Sequence, residues 1–140
     1  MSVNNHNAVL DAIVASLQTA LPARHVQRSL ADPANTSKAK LTAGLICLVS
    51  GGGGNFANYR GREGDLGRMN TTLVGLLQVG EGTTPADIER AELTLLGDLL
   101  SWVGTAAVAG LDVMYPGDWK QSQQLEHPYG WVTLALEVRT

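Results

Sequence analysis

Two apolar runs, "LTAGLICLVS" (residues 41–50) and "TTLVGLLQV" (71–79), are separated by 20 residues that include seven glycines. Each run carries apolar or small residues at odd and even positions alike, the pattern of a strand buried on both faces, so each predicts a central strand. Gly44 and Gly75, one inside each run, mark a bulge or a close approach of another part of the chain. The stretch between the runs, 51–70, has no apolar period. Gly61, Gly64 and Gly67 would each cost a helix about 1 kcal/mol. A long Gly-rich loop joining two paired strands is the expectation.

A glycine run directly after a strand also raises the question of phosphate binding. The Walker pattern needs Lys followed by Ser or Thr after its last glycine, but Asn55 and Phe56 follow Gly54. The segment Gly52-Gly53-Gly54-Asn55-Phe56-Ala57 does fit G-x-G-x-x-A. That fingerprint works by setting a pyrophosphate on a helix N-terminus, and the glycine spacing downstream opposes such a helix. No second strand–helix unit follows. Loops longer than about 12–15 residues are usually functional or disordered. This one interleaves both signs of charge at Arg60, Arg62, Glu63, Asp65 and Arg68. Such a segment suits ordering against a neighbouring copy through charge-assisted contacts, and it equally suits a solvated loop.

The flanking segments complete the fold class. Residues 7–21 carry Leu10, Ile13, Leu17 and Leu21 at helical spacing, with Asn5 or Asn7 as cap and Pro22 as terminator. "RHVQRSL" (24–30) alternates as a short edge strand, and "ADPANTSKAK" is turn chemistry. Thr84 as N-cap, Pro85 at the first helical position and Asp87 three residues after the cap open a second helix. Its apolar face runs through Ile88, Leu95, Leu96, Leu99, Trp102 and Val103 and ends near Gly104. "LDVMYPGDWKQSQQLEHPYG" mixes strand and turn signals, and "WVTLALEVR" (131–139) is a final strand. The order predicts an α+β fold: a mostly antiparallel sheet with two helices packed on one face and a long Gly-rich loop between two central strands.

Bulk properties narrow the functional classes. At 140 residues the chain points to one domain, 1–140, able to bury about two-thirds of its unfolded surface without a disulfide or metal. Apolar residues make up 44% and charged residues 16%, which leaves much weakly polar surface, a composition that suits an assembly without establishing one. A net charge of −3 offers no basic excess for binding DNA by counterion release. The lone Cys47, inside an apolar run, reads as a small buried hydrophobe. No leader peptide and no apolar run of about 18 residues occur, so a soluble product of a reducing cytoplasm is expected.

Other chemistry-bearing patterns are weak. Asp118-Trp119-Lys120 has the D-x-K form of metal-dependent nucleases, but the available second acid, Asp112, lies on the same short segment, and "YPGDWK" is more simply a turn. His6, His25 and His127 stand singly, without a second ligand at metal-binding spacing. No G-x-S-x-G elbow recommends a nucleophile. Trp119, Tyr129 and Trp131 cluster near the end of the chain, where an aromatic anchor for an interface is one reading and core packing the other, the better one for Trp131. Trp102, on the helix face, reads as core.

The order of elements resembles the tail terminator (tail completion) proteins of long-tailed bacteriophages. The likeness spans nearly the whole chain: an opening helix ending at Pro22, two strands around "SGGGGNFANYRGREGDLGR", the helix "TPADIERAELTLLGDLLSWV" and the ending "LEHPYGWVTLALEVRT". It rests on order and length, with "GWVTLALEV" the most recognisable piece. The resemblance implies a non-enzymatic virion protein, assembled in the host cytoplasm, forming a homo-hexameric ring at the head-proximal end of the tail. Its partners would be the tail tube protein and a head-side connector or stopper protein, with genomic DNA passing through the lumen without specific binding. No cofactor, metal or membrane is implied. Such a ring needs a heterologous interface that closes by rotation. Arg60, Arg62, Glu63, Asp65, Arg68 and Trp119 are the expected contacts to a neighbouring subunit or the tube. Another head–tail connector or tail tube protein is the near alternative, and a small nucleotide-binding or nuclease enzyme the distant one.

Overall fold

The computed structural model describes residues 6–54, 67–108, 111 and 113–139. Helix α1 (His6–Ala20) leads into strand β1 (His25–Arg28), a single 3-10 turn (Pro33–Asn35) and a short helix α2 (Lys38–Ala43). Strands β2 (Leu45–Gly54) and β3 (Arg68–Gln78) follow, then helix α3 (Pro85–Thr105) and strands β4 (Val113–Gln121) and β5 (Tyr129–Arg139). The five strands form one sheet in the order β1-β2-β3-β5-β4. All neighbours are antiparallel except β1 and β2, which run parallel with His25 opposite Leu45. The α+β class stands, and the sheet is mixed.

Both long helices cover the same face. Alternate residues of the central strands, Ile46 and Leu48, Leu73 and Leu77, Val132, Leu134 and Leu136, point to one side, as a period of two requires. They meet Leu10, Ile13 and Leu17 of α1 and Ile88, Leu95, Leu99 and Trp102 of α3. Each large aliphatic side chain buried here contributes about 1.5–3 kcal/mol. Trp102 is core, as expected, and its indole N–H donates to Ser16 Oγ across the two helices at 3.0 Å. Gly75 is the close approach: a Cβ there would run into Leu95 and crowd Val132. α3 opens as its sequence dictates, with Asp87 accepting from the Thr84 backbone N–H at 2.7 Å. That hydrogen bond is the main reason the Asp87 carboxyl titrates below its ordinary value. α1 closes at Ala20 before Pro22, and its first described turn already includes Asn7, while Asn5 lies outside the described residues.

Three expectations need correction. Leu41-Thr42-Ala43 is helical, because Ser37 caps α2 by accepting from Lys40 N, and Gly44 ends it at φ +94. Gly44 is therefore a helix C-cap outside the strand, where the positive φ disfavours any side chain and a Cβ would displace the Arg24 guanidinium. α2 and the 3-10 turn cover part of the opposite sheet face, where Leu41, Leu45, Cys47 and Leu76 form a second small core and Trp131 packs beside it. Gly51–Gly54 are not loop: they extend β2, paired with β3 beyond a bulge between Ser50 and Gly53. The rest of the expected loop, 55–66, lies outside the described residues. The mixed segment before β5 is a full edge strand, β4, with a second bulge between Pro116 and Trp119. Edge strands tolerate Pro and bulges, which also discourage pairing with stray chains.

Candidate assembly interface

Four chain segments converge at the glycine end of the sheet: the end of β2, the start of β3, the end of β5 and the start of β4. Register places Arg68 opposite both Gly54 and Arg139, and Tyr115 opposite Glu137. On the sheet face away from α1 and α3, Glu137 stands between two arginines. Arg139 Nε lies 3.0 Å from its Oε2 and Arg68 Nε 3.8 Å from its Oε1. The Arg139 guanidinium also sits over the Tyr115 ring, 5.9 Å from the centroid, within cation–π range. One carboxylate thus separates two cations that face each other across the ladder. Arg68 Nε makes no hydrogen bond among the described residues. Both arginine side chains are roughly two-fifths exposed, so these pairs contribute at most about 1 kcal/mol each to folding.

Beside the cluster runs an open groove of about 510 Å³, lined by Asn70, Thr72, Tyr115, Ala135 and Glu137 among others. Its floor is a part of the sheet that no other described residues cover, since α2 shields only the other end. Gly53 fixes the approach of β2 to β3 here: a Cβ would collide with the carbonyl of Arg68. Gly51–Gly54 are consequently the arm of an antiparallel hairpin, a geometry unlike the strand-to-helix turn that a dinucleotide fingerprint demands.

Of the sequence-predicted contacts, Arg68 belongs to this cluster. Arg60, Arg62, Glu63 and Asp65 lie outside the described residues. Trp119 is elsewhere: it sits on β4 opposite Leu134, five residues along β5 from the partner of Arg68, roughly 17 Å away and on the other face. It is exposed, near Leu125 at 81% and beside a shallow groove that Trp131 also lines. Arg68 and Trp119 therefore do not form one patch. Asp118 and Lys120 are both exposed on β4 around its bulge, while Asp112 falls outside the described residues. No group of three His, Cys, Asp or Glu side chains suited to a metal occurs among the described residues. His127 Nε2 is 3.0 Å from Thr83 Oγ1, tying the β4–β5 turn to the loop before α3. Cys47 is fully buried, and burial pushes its thiol pKa up.

The residue that sequence reasoning missed is Glu92. It sits in the apolar stripe of α3, between Ile88 and Leu95, and is completely buried. Its carboxylate accepts from Ser122 Oγ, from Trp131 N at 2.9 Å and from Gln121 Nε2 at 3.2 Å. Gly130 lacks the Cβ that would strike both Glu92 and Ile88. The arrangement latches α3 to the β4–β5 hairpin. An acid at a stripe position was the available signal. Among the described residues no helix is long and apolar enough to cross a membrane. The chain matches no protein-family model and no curated protein.

Proposed function

We propose that the protein is a phage tail terminator: a structural ring subunit that caps the head-proximal end of the tail tube and presents a surface for head–tail joining. The observation that carries this reading is the open glycine end of the sheet face opposite α1 and α3, as the described residues leave it. Two long helices seal one face, whereas the glycine end of the other face displays Arg68, Glu137, Arg139 and Tyr115 beside an open groove. Charges of both signs, little bound to each other energetically, suit a contact between unlike patches of neighbouring copies, which is what a closed ring requires. The paired ends of β2 and β3, Gly54 and Arg68, lie at this same place, and residues 55–66 between them lie outside the described residues. In the ring these residues and Arg68 contact the next subunit or the tube, and DNA passes through the lumen unbound.

The test is a pair of variants followed by native mass measurement, alone and with tail tubes. Deleting 55–66 leaves a folded chain with its thermal transition nearly unchanged and abolishes rings, and Glu137→Lys, which sets a third cation between Arg68 and Arg139, lowers the transition by a few degrees and abolishes rings as well. A deletion variant that still forms rings and caps tubes would end the reading.

A further inference from the structure

The solvent side of α3 is unlike that of an ordinary surface helix. Its exposed positions from Leu93 to Gly104 are Leu93, Thr94, Gly97, Leu100, Ser101 and Gly104, and the one charge in that span, Asp98, is half-exposed at the edge of the face and paired with Arg24. A solvated helix face normally carries charged side chains. Leu93 and Leu100 are 42% and 39% exposed, seven residues apart and in line with Gly97 and Gly104. Among the described residues neither glycine makes room for another group: a Cβ at either position meets nothing within 4 Å. Glycine is among the least favourable residues inside a helix, so both weaken α3 with no return among the described residues.

We propose that this face packs against α3 of a second copy, antiparallel, about a two-fold axis at Gly97. The pattern is self-complementary about that residue. A two-fold rotation sets Leu93 over the second copy's Ser101 and Leu100 over its Thr94, large against small in both directions. Gly97 meets its equivalent where the axes cross, and the missing Cβ lets them approach closely. Charge agrees with this direction. Arg90, two turns before Gly97, comes to the C-terminal end of the second helix, whose last turn has no basic residue and holds partial negative charge. Two helices crossing bury less than the about 1,000 Å² of a stable interface, so the contact is weak in free chains and strengthened wherever several copies are already joined. It does not rest on the ring reading, because a two-fold contact links two free chains or two rings and does not build one.

The experiment uses sedimentation equilibrium of the full chain from about 1 μM to about 1 mM, with cross-linking by oxidation. Leu93→Glu with Leu100→Glu removes the concentration-dependent rise in mass. Gly97→Ala raises the melting temperature by about 3 °C yet weakens association at least about tenfold, opposite signs that a purely local role would not give. A mixture of Leu93→Cys and Ser101→Cys chains cross-links, and neither variant cross-links with itself. Association untouched by the leucine changes, or a mixture that stays uncross-linked at the highest concentration, overturns the proposal. So does cross-linking only to added tail tube, which would assign the face to a different protein. A ring that forms while these cross-links fail sinks the α3 contact alone, and cross-links without a ring sink the other reading.

Discussion

Replacing Glu92 with alanine should be as damaging as truncating a core residue of α3, and the structure sets its size. The carboxylate serves three donors: the Ser122 hydroxyl, the Trp131 backbone N–H and the Gln121 amide. Ser122 is buried and the Trp131 N–H lies within the sheet, so neither turns to water when its acceptor goes. Each stranded buried donor costs about 1–3 kcal/mol, whereas half-exposed Gln121 rehydrates at little cost. With the lost packing, Glu92→Ala should cost about 4 kcal/mol, a large share of the 5–15 kcal/mol typical of a domain, and lower the melting temperature by roughly 12 °C. Glu92→Gln keeps the shape but aims an amide N–H at a donor, so it should cost about half as much. Urea unfolding followed by circular dichroism measures both. The same assay on Ser122→Ala and the double variant should give a coupling of about 1.5 kcal/mol or more, because the two side chains share one hydrogen bond. A loss below about 1 kcal/mol for Glu92→Ala, or strict additivity with Ser122→Ala, would refute the latch.

Three further outcomes follow from single positions. Gly53→Ala should drive a methyl into the Arg68 carbonyl and open the hairpin arm, seen as faster amide exchange across Arg68–Asn70 with the core beyond Leu48 still protected. Asp87, whose pKa is lowered chiefly by the Thr84 N–H, stabilises the fold fully above the unfolded carboxylate value of about 4 and loses that contribution as pH falls through the lower folded value. The melting-temperature gap between wild type and Asp87→Asn should therefore hold steady from about pH 5 to about pH 8 and shrink below about pH 4. Cys47, buried and with its pKa raised, should resist thiol reagents in the native protein and react at the rate of unfolding, so fast labelling at neutral pH would contradict its placement.

What the sequence makes legible here is what local chemistry determines. The stripe through Ile13 and Leu17, and the Thr84-Pro85-x-Asp87 start, fix α1 and α3 because capping and period act within a few residues. The face shared by both helices follows from the two apolar strands. Leu41-Thr42-Ala43 reads as strand because apolar residues continue without a break into Leu45, and only the Ser37 cap and the positive φ at Gly44 divide helix from strand. The glycine run reads as loop because glycine weakens strands generally, yet pairing with Arg68 and Met69 holds it in the ladder. The parallel pairing of β1 with β2, and the meeting of Arg68, Glu137 and Arg139, arise from tertiary register that no local pattern encodes. Arg68 joins Glu137 and Arg139, which its sequence neighbourhood does not name, and Trp119, on the other face of the sheet, shows that two promising residues need not share a surface.

The most direct test of the tail-terminator account is a cryo-microscopy map of particles containing the protein. The account predicts six copies around the head-proximal rim of the tail tube, each with its Arg68–Glu137 edge against another polypeptide. A chain found at a different station or absent from the particle, or a nucleotide lodged against Gly51–Gly54, would contradict it.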